Sequence, residues 1–130
     1  MATLSALAAR YATEERPVGN LLDDAQILAQ ALAAARMYAG FSRIVSQIVE
    51  PPAIAPSDVV ATTEISVSEW AVIRPLFLLY VERENASQLE ASRGFGIDPY
   101  GRQSSEVASD ILQYEEGLPL KAFYQDVTTI

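Results

Sequence analysis

The residues of this 130-residue chain best able to do chemistry are its carboxylates, and three close pairs stand out: Asp23/Asp24, Glu82/Glu84 and Glu115/Glu116. A working acid–base pair needs two carboxyls converging on one reacting group. Neighbours one or two apart on a helix point in different directions, so none of the three makes a ready dyad. Histidine is absent, which removes the usual general base and the commonest nitrogen metal ligand. Cysteine is absent too, excluding a disulfide, a thiolate nucleophile and a Cys-based zinc site. A di-metal site in a helical bundle would need Glu-x-x-His motifs. A glycosidase needs only carboxylates, but the small size and the lack of an aromatic cleft pattern count against one. No catalytic, cofactor-binding or metal-binding residue is assigned, and the chain is expected not to be an enzyme.

Length fits one domain with enough apolar content, 50% of residues, to build its own core. The net charge of −8 argues against a general nucleic-acid binder, which needs a basic footprint. Acidity serves solubility, and it also suits a surface that must let DNA pass without gripping it. All cations but Lys121 are arginine, which favours planar contacts with carboxylates; a GC-rich coding sequence would produce the same bias. No targeting signal stands out, and no run reaches the roughly 20 apolar residues of a membrane span, so a soluble cytoplasmic product is expected.

The central element is read at 65–93. Ser66 and Glu69 have the S-x-x-E spacing of a reciprocal capping box. Trp70, Ile73, Phe77, Tyr80 and Val81 then share one face, flanked by Leu76 and Leu78, as a core stripe. Pro75 removes one backbone bond and predicts a kink rather than a break. Beyond Val81 the helix turns polar, with Glu82, Arg83, Glu84, Glu90 and Arg93, and only Ala86 and Leu89 keep an apolar line. This half reads as a solvated or inter-subunit face.

The elements around it follow in order. Residues 1–20 form an N-terminal arm with a short helix over 3–14, ordered against a partner or frayed. An Ala-rich helix is expected over 21–49, opened by Asp23 and Asp24, with apolar positions running to Phe41, Val45 and Ile48 and a possible split at Ala39–Gly40. Its run Ala29 to Ala35 either lets a neighbouring helix approach closely or reflects helix propensity alone. Prolines 51, 52 and 56 make 50–64 an extended linker, with at most a short strand at Val59–Ala61. Residues 94–104 form a Gly/aromatic loop whose Phe95 and Tyr100 fold back or meet a neighbour. The loop lacks the third glycine and the preceding strand of a nucleotide-binding turn. A last helix is expected over 105–117, stopped by Gly117 and Pro119. The tail 118–130, with Phe123 and Val127 opposite Tyr124, reads as an extended or β-strand arm available for pairing. The fold class is mainly α: a small bundle of three to four helices with that arm.

From about Glu64 onward the chain resembles small virion proteins of tailed bacteriophages, the head-completion or head-to-tail adaptor class. The resemblance rests on E-W-x-x-I-R-P-L at Glu69–Leu76, Y-V-E-R-E-x-A at Tyr80–Ala86, E-A-S-R-G-x-G ending at Gly96, and the later Y-G-R. It implies a helical protomer that assembles with itself, commonly as a twelve-fold ring, beneath the portal protein of the capsid vertex. The ring would extend the DNA channel and dock neck or tail-completion proteins, with the C-terminal arm on the portal and DNA passing without sequence-specific binding. It implies location in the virion, assembled in the host cytoplasm. The candidate interface residues are Glu82, Arg83, Glu90, Arg93, Phe95, Tyr100, Phe123, Tyr124, Val127 and Ile130. The alternative is a soluble, non-catalytic helical module that docks or regulates a partner through the Glu82–Arg93 face.

Overall fold

The computed structural model describes residues 1–16, 20, 22–48, 58–91 and 104–126. The chain is mainly helical. Its elements are β1 (Ala2–Thr3), α1 (Leu4–Arg10) continued by a π-helical turn (Tyr11–Glu15), α2 (Asp24–Ala39), a 3-10 turn (Val45–Gln47), β2 (Glu64–Ile65), α3 (Val67–Ala91) and α4 (Ser104–Asp126).

α3 is the spine. Ile73, Leu76, Phe77, Tyr80 and Val81 are all buried, as the stripe predicts, and Val72, outside it, is buried too. Trp70 is only half-buried, but its ring packs on Phe77 with centroids 5.5 Å apart. Pro75 lies inside α3 and the helix runs through it unbroken. Both Pro75 and Ala71, whose carbonyl loses its partner, are exposed, so water can solvate the orphaned acceptor. Contacts set the sense of the neighbours. Tyr11 meets Phe77 edge-on at 5.2 Å, and Glu15 pairs with Arg74, so the π-helical turn packs on α3, while α1 itself packs against α2. Val45, just past α2, is tied to Glu69 at the start of α3, so α2 runs antiparallel. Ser104 meets Glu90 and Glu115 meets Tyr80, so α4 also runs antiparallel.

Several expectations are corrected. The N-terminal segment is no loose arm: Thr3 caps α1 by accepting from the Ala6 amide, and Leu4, Ala8, Tyr11 and Ala12 enter the core. The only strand pairing among the described residues is β1 with β2, antiparallel, Ala2 opposite Ile65 and Thr3 opposite Glu64. The strand therefore lies past Val59–Ala61, and Leu4 N–H to Thr63 O and Ser5 N–H to Ala61 O extend the tie. α2 ends at Ala39, at the split expected at Ala39–Gly40, and the chain beyond it is not the helix expected to 49. The Gly40, Phe41 and Ser42 amides turn back onto the carbonyls of Arg36, Met37 and Tyr38 and close its last turn. α4 does not stop at Gly117 but passes Pro119 to Asp126, so the expected strand arm is helical through 126. Leu118 is fully buried, and tertiary packing of this kind overrides local stop signals. The expected prolines 51, 52 and 56, the 94–103 part of the loop, and positions 127–130 lie outside the described residues.

The alanines of α2 separate cleanly by side. Ala31, Ala34 and Ala35 have no exposed surface, while Ala29 and Ala33 face solvent. The buried trio supports close helix approach rather than propensity alone. Ala35→Leu should therefore cost about 1–3 kcal/mol through overpacking, whereas Ala33→Leu should change stability by less than about 0.5 kcal/mol. Urea unfolding of the two variants checks this, and equal effects would contradict it.

Candidate functional site

Of the ten predicted interface residues, Glu82, Arg83, Glu90, Phe123 and Tyr124 are among the described residues. Glu82 lines an open cleft of about 300 Å³ between the π-helical turn and α3, beside Tyr11, Arg74 and Asn85. Arg83 lies 5.1 Å from the ring centroid of Tyr80, a cation–π contact. Glu90 is used inside the protomer: its two carboxyl oxygens accept from the Ser104 amide and hydroxyl, each at 2.8 Å, at the start of α4. Phe123 and Tyr124 lie on α4. Arg93, Phe95, Tyr100, Val127 and Ile130 lie outside the described residues.

The apolar line of this half of α3 is packed, while Glu82 to Asn85 stay partly exposed. Ala86 and Leu89 are buried, and α4 covers this half through Glu90–Ser104 and the Tyr80 hydroxyl, which donates to Glu115 at 2.8 Å. Glu115 sits in mid-helix, and its partner is a tyrosine.

Sequence reasoning missed two features. The first is the full role of Glu69. The capping box forms as spacing predicts: the Ser66 amide donates to Oε1 at 2.9 Å, and the Glu69 amide donates to the Ser66 hydroxyl at 3.3 Å. Glu69 is also almost fully buried, and its Oε2 accepts from the Val45 amide at 2.9 Å. S-x-x-E spacing reports a cap and says nothing of a second partner 24 residues away. The second is a set of exposed apolar side chains. Of eight large hydrophobics exposed among the described residues, six (Met1, Phe41, Val45, Ile48, Val60 and Val67) belong to the end formed by the start of β1, the chain after α2, and the segment leading into α3. Val67 is 87% exposed. The other two, Leu112 and Leu120, lie on the outer side of α4. Periodicity read Phe41, Val45 and Ile48 as a continuation of the apolar positions of α2, which ends before them.

This end is stitched rather than loose. Arg36 bridges the Asp58 carboxyl and the Val59 carbonyl, the Gln47 side chain donates to the Asp58 carbonyl at 2.7 Å, and the Ser46 hydroxyl donates to the Glu64 carbonyl at 2.6 Å. From 41 to 45 the residues alternate exposed and buried, so Phe41, Arg43 and Val45 point outward together while Ser42 and Ile44 point in.

Comparison with protein-family models, curated proteins and solved structures finds no match. The site's chemistry must be read from its own residues. No group of three or more carboxylates positioned to hold a metal occurs among the described residues, and no described helix is long and apolar enough to cross a membrane.

Three tyrosines report on packing. Burial raises Tyr11, Tyr80 and Tyr114 above the ordinary value of 10.0, and for Tyr80 the hydrogen bond to Glu115 adds to the shift. A raised folded value means the folded state holds the proton that the unfolded chain releases. Stability is therefore full below about pH 10 and falls as pH climbs above it toward the folded values. Ultraviolet titration should show these phenols ionising only as the fold is lost, and Tyr80→Phe should flatten part of the alkaline loss. Ionisation of all tyrosines near pH 10 with helicity intact would contradict the packing described.

Proposed function

We propose that this chain is a non-catalytic structural protein of a tailed-bacteriophage virion, a head-to-tail adaptor. In this reading copies assemble as a ring, twelve in number, beneath the portal. The ring extends the DNA channel and offers a platform to neck or tail-completion proteins. The protein is assembled in the host cytoplasm and resides in the virion.

The observation that carries the reading is the placement of exposed apolar side chains on two separate surfaces of one small bundle, the end around Phe41 and Val45 and the outer side of α4. A protein that joins larger bodies needs more than one contact surface, and exposed apolar clusters mark such surfaces. The resemblance of Glu69–Leu76 and Tyr80–Ala86 to adaptor sequences supports it, as does a net charge of −8, suited to a conduit that must not hold phosphates. The alternative docking face, Glu82–Arg93, gains no support, because its buried line and Glu90 are already occupied by α4.

The test is co-sedimentation of the full-length chain with portal rings of its own virus. The chain is expected to travel with the rings, and a truncation ending at Leu120, which keeps buried Leu118, is expected to lose docking while keeping most helical circular dichroism. A full-length chain that associates with neither portal nor tail components would overturn the adaptor reading. Docking unchanged by the truncation would remove the C-terminal residues from it.

A further inference from the structure

The two exposed apolar surfaces differ in charge. The bundle end carries Arg43 between Phe41 and Val45, with all three side chains exposed. On α4, Leu112, Glu116, Pro119 and Leu120 are all exposed. At 100° per residue they fall within an arc of about 100°, a stripe roughly 12 Å long. Neither Arg43 nor Glu116 forms an ion pair among the described residues. The end also holds the Arg36–Asp58 pair and exposed Glu64, but Arg43 is the charge that stands between Phe41 and Val45, as Glu116 is the charge within the α4 stripe.

We propose that these surfaces mate between copies: the Phe41–Arg43–Val45 end of one protomer docks on the Leu112–Glu116–Leu120 stripe of the next. The proposal rests on the self-assembly part of the reading above, in taking a second copy as the occupant, and it assigns the surfaces involved. Charge selects this pairing over the symmetric ones. Two ends meeting about a two-fold axis would bring Arg43 against Arg43, and two α4 stripes would bring Glu116 against Glu116. Like charges opposed in a desolvated contact are strongly unfavourable, whereas Arg43 against Glu116 is complementary. Contact between two different surfaces is heterologous, so each bound protomer leaves one surface of each kind open. Repetition then closes a ring or extends a filament, according to the rotation per step.

Each surface is exposed, so single substitutions there leave the core intact. Val45→Glu disables the end and Leu120→Glu disables the stripe. In analytical ultracentrifugation the wild-type chain is expected to associate beyond a dimer as concentration rises. Each variant alone is expected to remain monomeric, and an equimolar mixture of the two is expected to form a 1:1 dimer and nothing larger, because one intact surface of each kind remains. Arg43→Glu should weaken association at least tenfold, and pairing it with Glu116→Arg should recover most of the loss. A wild-type chain monomeric at every concentration, a single variant that associates as the wild type does, or a mixture that fails to pair would each overturn the proposal. The pattern is independent of the portal: mating without portal binding would count against the adaptor reading alone, and portal binding by a strictly monomeric chain would count against this mating alone.

Discussion

One buried side chain ties together parts of the molecule that the sequence keeps far apart. Glu69 stands in the first turn of α3, where the helix dipole favours an anion. One of its oxygens closes the cap on Ser66 and the other holds the amide of Val45. Hydrogen bonds to a charged acceptor contribute about 1.5–3 kcal/mol each, and here the two donors come from different segments. The chain leaving α2 is thereby anchored to the chain entering α3. Because Val45 is held by its backbone, its side chain is left to face outward beside Phe41 and Arg43. That anchor fixes Val45 within the apolar end of the bundle.

The division of labour along α3 follows from what packs on each half. The N-terminal half meets α2 and the π-helical turn, and α4 reaches it through Tyr114. The C-terminal half meets α4, and its polar residues turn inward as partners: Tyr80 to Glu115 and Glu90 to Ser104. Tyr114 adds a third link, donating from its hydroxyl to the Val72 carbonyl. No buried side-chain nitrogen or oxygen among the described residues lacks a partner, which is what a cooperative, fully packed small bundle requires.

Strong local signals in the sequence translated directly into structure. The Ser66/Glu69 box, the Asp23 cap with its reciprocal Gln26 bond, and the core stripe from Ile73 to Val81 each depend on residues within a few positions of one another. What the sequence hid depends on distant partners. Gly117 and Pro119 read as stop signals, yet burial of Leu118 against the bundle carries α4 past them. Apolar spacing from Tyr38 to Ile48 mimics a continuing helix, yet the turn at Gly40 and the grip of Glu69 on Val45 send those side chains to the surface. Two residues of β1 are too few to show alternation and become a strand only by pairing with β2. For the candidate site the consequence was direct: within the polar stretch Ala86 and Leu89 are buried and Glu90 is engaged by α4, while Phe41, Val45 and Ile48 are exposed.

If Glu69 holds the chain after α2 against the start of α3, amide hydrogen exchange will report it. In the wild-type chain the Val45 amide, although in an exposed turn, is expected to exchange slowly and together with the Ser66 amide. In Glu69→Ala both are expected to lose protection, while amides in the middle of α2 keep theirs. A Val45 amide that exchanges at the rate of an unstructured loop in the wild type, or that stays protected in the variant, would contradict the account.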